Sequence, residues 1–283
     1  MNLKETLYFY RILNWDEKIS GARPIGYTFL GYMMAGKFEI LPIIYNLFVI
    51  LGVLSFWYSI NDYFDFKIQK EKNFLATKIK SGELSERKTI LFCLLPLLLM
   101  VFLLFIIKKD NYQSFYYLIT IFVITTLYSV PPIRIKKRKF LSFLVPPLGA
   151  SLLFLQGYTI LCEPTLSIIL LSIILFIFQL FLEALHIMED FTKDKEIKKI
   201  QNPDNIIAFI RILPLISIFI SIFFSFINLW FLTTTLFSFL RYIYVRKVTF
   251  ENIHNIRTNL LSPIWSLYEF MVYGIFGVLN LFH

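Results

Sequence analysis

Two short acidic stretches stand at the ends of otherwise apolar runs. The first is Asn61-Asp62-Tyr63-Phe64-Asp65-Phe66-Lys67-Ile68-Gln69; the second spans 183–194 and carries Glu183, His186, Glu189, Asp190 and Asp194. On a helix, residues three and four apart return to the same side. That spacing predicts one face made by Asn61, Asp62, Asp65 and Gln69, and another made by Glu183, His186, Asp190 and Asp194, with Glu189 beside it. Paired carboxylates are hard oxygen ligands. Mg²⁺ takes one or two of them, keeps part of its water shell and joins them to substrate phosphates. Two helices offering acids to a shared space can therefore hold a diphosphate through Mg²⁺ and favour its departure from an allylic carbon. Either stretch alone reads equally well as the solvated end of a helix. Two of them on one side of the molecule carry the chemical reading.

The elements that must position these groups follow from composition. Of 283 residues, 57% are hydrophobic, only 17% are charged and 32 are Phe, whereas a soluble domain carries about 25% charged residues. Lipid is the natural solvent for such a chain. Apolar runs occupy 24–36, 41–60, 89–107, 115–132, 140–161, 166–187, 206–224, 226–244 and 263–282. Measured against the roughly 20 residues of a spanning helix, they predict an all-α polytopic membrane protein, a bundle of about nine transmembrane helices around a central cavity. Residues 1–283 read as a single domain. With the N-terminus in the cytoplasm and the spans alternating, only Lys37, Lys108 and Lys109 of the 28 Lys and Arg fall outside, as the positive-inside rule demands. This predicts an integral protein of the cytoplasmic membrane with both acidic stretches facing the cytoplasm. The net charge of +9 lies in short runs between spans, so it reports topology and not a nucleic-acid partner. Cys93 and Cys162 lack metal-ligand spacing and read as small buried hydrophobes. The N-terminal stretch has no long apolar segment of the kind a cleavable leader needs.

Glu183 and His186 fall inside the membrane or at its edge, where ionisable groups are costly and usually face a polar cavity. They are the candidate acid–base groups. The run Arg134-Ile135-Lys136-Lys137-Arg138-Lys139 suits a diphosphate or anionic headgroups. Pro131-Pro132 ends the fourth span, because Pro lacks an N–H and disfavours helix before it.

Asn61-Asp62-x-x-Asp65, followed by Lys78-Ile79-Lys80-Ser81-Gly82-Glu83-Leu84-Ser85, resembles the first signature of the UbiA superfamily of intramembrane prenyltransferases. Leu127-Tyr128-Ser129-Val130-Pro131-Pro132-Ile133-Arg134-Ile135-Lys136 is similar to the segment after their fourth helix, and Glu189-Asp190-x-x-x-Asp194 to their second acidic motif. The ordered set covers nearly the whole chain. The resemblance implies Mg²⁺-dependent transfer of a prenyl or polyprenyl group from its diphosphate to a lipophilic acceptor, an aromatic quinone precursor or a glycerol-phosphate-type lipid. It places Mg²⁺ on Asp62, Asp65, Asp190 and Asp194 with Asn61, and the diphosphate near Lys78, Arg134 and Lys136. It adds Tyr128 to Glu183 and His186 as a candidate catalytic residue. The sequence departs from the family where Gln69 replaces a third Asp and where Ile187 stands at a position several subfamilies give to Asp. A terpene cyclase on the same scaffold, consuming the donor alone, is the alternative; a transporter is the alternative of another class.

Overall fold

The structure, a computed structural model, describes residues 2–10, 23–70, 73–110, 112–193, 203–249, 251–256, 263–279 and 281. Among these residues every regular element is a helix. In chain order they are α1 (Leu3–Phe9), α2 (Arg23–Met34), α3 (Ile40–Phe64), α4 (Phe74–Lys80), α5 (Glu86–Asp110) and α6 (Tyr112–Ser129). They continue with α7 (Lys139–Thr159), α8 (Leu166–Lys193), α9 (Pro203–Ser225), α10 (Phe231–Val245), α11 (Ile253–Asn255) and α12 (Pro263–Val278). Each of the runs expected to span falls on one of these helices. The run expected from 226 begins later, because Asn228 accepts a hydrogen bond from the Trp230 amide and holds a turn before α10. Among the described residues, four stretches are long and apolar enough to cross a membrane: Ile40–Gln69, Leu141–Thr159, Leu166–Glu189 and Asp204–Ser225.

The distribution of polar groups is inverted relative to a soluble protein. On α9, Phe219 and Phe223 are 75% and 63% exposed, while Ser217 and Ser221 are buried. Ser217 shares a hydrogen bond with Ser238 of α10 at 2.7 Å, and Ser221 with Thr235 at 2.8 Å. In lipid the apolar face needs no cover and the hydroxyls must find one another, which is how membrane helices are joined. Deeper in the bundle, Gln156 of α7 donates to Asn46 of α3 at 2.5 Å and to Ser114 of α6 at 3.0 Å, all three buried.

Glycines let α2, the shortest of the expected spans, seat deeply. A Cβ on Gly31 would lie 2.0 Å from the Phe154 carbonyl oxygen of α7, and one on Gly157 of α7 would lie 1.9 Å from the Thr28 carbonyl oxygen of α2. The two helices cross backbone to backbone, each notched for the other.

Arg241, counted with the basic residues that follow the eighth span, sits in the last turns of α10, 7% exposed and ion-paired with Glu269 of α12. Glu269 also accepts a hydrogen bond from Tyr273 at 2.6 Å. A charge carried between two helices is satisfied there because its partner is one helix away.

Candidate active site

The first acidic stretch forms where α3 changes its winding. After Phe64 the helix widens into a π-helical turn over Asp65–Gln69, and Lys70, left-handed at φ 59°, stops it. Such turns are uncommon and concentrate at functional sites. The Asp65 carboxylate, 6% exposed, is the hub. Asn61 and Gln69 donate their side-chain amides to it, each at 2.9 Å. Arg134 Nη2 donates at 2.9 Å, and the Lys136 ammonium is also bonded to Asp65 Oδ1. Lys136 lies 2.8 Å from Asn61 Oδ1, which accepts as well from the Ser129 hydroxyl at 3.1 Å.

The basic residues are aimed there by a costly backbone. Arg134 adopts φ 39° and ψ 64°, left-handed for a residue with a Cβ, and its side chain is buried. A non-glycine residue in that region carries about 1–3 kcal/mol of strain, which persists only where surroundings impose it. Here the Asp65 ion pair is the imposing contact.

Of Asn61, Asp62, Asp65 and Gln69, expected on one face, Asn61, Asp65 and Gln69 form a stripe joined by their own hydrogen bonds. Asp62 lines a cavity with Ser59, Asn73, Phe74, Tyr8 and Phe9. Lys78, expected at the diphosphate, is held at 2.6 Å by Glu5 of α1 and at 2.5 Å by Glu83.

At the end of α8, Glu183 is half-buried and His186 exposed. Tyr128 lies at the end of α6. It packs edge-on against Trp57 of α3, ring centroids 6.4 Å apart. Glu189, beside the acidic stripe, is 2% exposed and bonded at 2.8 Å to His254 of α11, a partner the sequence did not suggest. Asp190 lies on α8 with its side chain outside the described residues, as is the whole of Asp194. Among the described residues no three acids, imidazoles or thiols gather into a metal cluster. The donor set nevertheless fits a hard divalent cation. The Lys136 ammonium already sits between Asn61 Oδ1 and Asp65 Oδ1, two oxygens of the kind Mg²⁺ selects.

Sequence reasoning missed Ser129, although it lies within the Tyr128–Pro132 motif, and it missed Glu5, which closes on Lys78 from 73 residues away. The Lys78 hydrogen bond is the largest influence holding the Glu5 carboxyl below its ordinary 4.5, and likewise for Glu83. The same contacts, Glu5 foremost, hold the Lys78 ammonium above its ordinary 10.5. The depressed Glu5 carboxyl stabilises the docked α1 above pH 4.5, and that contribution is lost as pH falls through its lowered value. The raised ammonium contributes below pH 10.5 and is lost as pH rises through its raised value. Amide hydrogen exchange in α1, corrected for intrinsic rate, should therefore be slowest between those limits and faster at both extremes. Flat protection across the acid limb would show that the ion pairs do not hold α1.

Comparison with known proteins bears on this geometry. A model of the UbiA prenyltransferase family matches residues 25–255. The fold is similar to a UbiA homolog from Archaeoglobus fulgidus, with TM-score 0.74, 17% identity, and 97% of this chain and 99% of that chain covered. A structure of a UbiA homolog from that organism bound to GPP and Mg²⁺ gives TM-score 0.65 and 19% identity, with 98% of each chain covered. A structure described for digeranylgeranylglyceryl phosphate synthase in membranes gives TM-score 0.74 and 18% identity, again with 98% of each chain covered. No curated protein sequence matches the chain.

Proposed function

The chain belongs to the UbiA prenyltransferase family, and on that premise we propose that it transfers a prenyl or polyprenyl group from its diphosphate to a lipophilic acceptor, with Mg²⁺, at the cytoplasmic face of a membrane. The observation that carries this reading is the buried Asp65 carboxylate, ringed by Asn61, Gln69, Arg134 and Lys136. Asn61 and Asp65 would hold Mg²⁺ from α3, and Asp190 and Asp194 from the second acidic stretch. Asp62, which turns to the cavity beneath α1, stands outside that set. Bound there, Mg²⁺ supplies Lewis-acid neutralisation of the departing diphosphate.

Arg134 and Lys136 then have a second use. With a divalent ion on Asp65 they would be repelled from it, and the phosphate oxygens would become their partners. A guanidinium matches two such oxygens at once. Tyr128 and Glu183 are the groups we assign to proton movement at the reacting carbon. Exposed His186 is the weaker candidate.

The similar proteins bound to GPP and Mg²⁺ support the choice of donor and metal. The test is mass spectrometry of the purified chain in lipid nanodiscs with geranyl and geranylgeranyl diphosphates and an acceptor panel. The expected product is acceptor plus prenyl group less one proton, absent with EDTA and restored by Mg²⁺. No consumption of either donor in any arm would overturn the reading. A cyclic hydrocarbon from donor alone would replace it with a cyclase.

A further inference from the structure

The second acidic stretch works against its own helix. Glu183, Glu189, Asp190 and Asp194 put four carboxylates into twelve residues, and α8 ends at Lys193. Carboxylates at a helix C-terminus stand at the negative end of its dipole, and two of them four residues apart repel. The local sequence therefore opposes the geometry that a shared metal would need. A neighbouring element must supply the hold.

That neighbour is the segment after α10. Val248, Ile253 and Ile256 are buried in one core with Leu185 and Met188 of α8 and with Ile207 and Ile210 of α9. The backbone is pinned as well. Arg211 of α9 donates to the Val248 carbonyl at 2.7 Å. Asn252 accepts from the Thr249 amide at 2.8 Å and donates to the Lys247 carbonyl at 2.8 Å. A segment tied in this way is a fixed support.

His254 stands on this support, in α11, directly after the buried Ile253. Its side chain is 57% exposed, yet Nδ1 lies 2.8 Å from Oε1 of Glu189, whose side chain is 2% exposed. A carboxylate oxygen accepts, so Nδ1–H donates. An ionised carboxylate taken out of water needs such a partner. Glu189 is the residue immediately before Asp190. Tethering the Glu189 side chain to a fixed support sets the depth and the rotation of the α8 turn that carries Asp190.

We propose that His254 is a positioning residue for the second acidic stretch: through Glu189 it fixes the end of α8 so that Asp190 and Asp194 meet the same metal as Asp65. The proposal rests on the Mg²⁺-dependent reading for the metal, but not for the support itself. His254 does not touch the metal. It belongs with the hydrogen-bonding groups behind the ligands of a metal site, whose loss is felt as metal affinity.

The test compares two replacements of one shape. His254→Asn keeps an N–H near the place of Nδ1–H, and His254→Leu has almost the same outline without the donor. The full chain in phosphatidylcholine nanodiscs is titrated with Mn²⁺ in place of Mg²⁺, without donor, at one pH. Free Mn²⁺ is read by its EPR signal against empty discs. The unaltered chain and His254→Asn should bind alike, and His254→Leu about tenfold more weakly, the lower end of such losses. In the donor experiment above, His254→Leu should need about tenfold more Mg²⁺ for half-maximal transfer while keeping most of the maximal rate. A group needed only for folding would instead lower the rate and leave the Mg²⁺ requirement where it was. Equal Mn²⁺ affinity in His254→Leu overturns the proposal, as does His254→Asn binding as weakly as His254→Leu. More than half of the His254 side chain is exposed, so little packing is lost; should His254→Leu fail to fold, His254→Ala takes its place with the same outcomes. Mn²⁺ affinities as expected, with no prenyl transfer, would leave the support standing and remove the transferase reading. Prenyl transfer with unchanged Mn²⁺ affinity in His254→Leu would do the reverse, and no saturable Mn²⁺ uptake by the unaltered chain would overturn the proposal together with the metal reading.

Discussion

Replacing Asp65 by Asn should lower prenyl transfer by about a thousandfold or more, because Lewis-acid stabilisation worth several kcal/mol would be lost with the metal's ligand. The measurement needs a control for folding. Asp65 is 6% and Arg134 4% exposed, and removing one partner of a buried ion pair destabilises by about 3–5 kcal/mol. The neutral amide would leave two cations, Arg134 and Lys136, facing one another without the carboxylate between them. Asp65→Asn combined with Lys136→Met returns the local charge to its original value, one cation in excess. The double variant should regain most of the lost thermal stability and none of the lost rate. If it also regains the rate, Asp65 serves the fold and not the metal.

The sequence and the structure agree most closely where a single physical rule decides the outcome. Long apolar runs in a chain with 17% charged residues must be lipid-spanning helices, and the helices fall where the runs are. Asn61, Asp65 and Gln69 form a stripe because four-residue spacing leaves them no other choice on a helix. What periodicity could not give was the neighbour on another element. Asp62 has the same residue type and almost the same position as Asp65, yet it faces α1 and α4 because those segments, distant in sequence, pack on that side. Lys78 was assigned a phosphate because the motif surrounding it suggested one. Its partner Glu5 lies in a seven-residue helix that no apolar pattern announces. Arg134 likewise shows the limit: its place in a basic run is readable, but its left-handed backbone and its aim at Asp65 arise only when α6 and α3 end side by side.

Arg241 and Glu269 offer the other large effect, and its asymmetry is the informative part. Arg241 is ion-paired with Glu269, its guanidinium carbon lies 3.9 Å from the centroid of Phe178, and Glu269 is 1% exposed. Neutral hydrogen bonds between membrane helices contribute only about 0.6 kcal/mol on average, because the separated helices find other partners. A stranded charge is different. An arginine at the centre of a spanning helix costs about 2.5–3.5 kcal/mol even on insertion scales, and it cannot escape by losing its proton. A stranded carboxylate can escape by taking one up. Glu269→Leu should therefore destabilise by about 3–5 kcal/mol, and Arg241→Met by distinctly less. The double replacement should recover most of the Glu269→Leu loss, since an apolar pair of similar volume substitutes for a buried ion pair at little cost; the remainder, about 1–3 kcal/mol, is the buried Tyr273 hydroxyl left without its acceptor. Thermal unfolding of the four proteins in one detergent measures this. Equal losses in the two single variants, or a double variant as poor as their sum, would mean that the pair acts through groups other than each other.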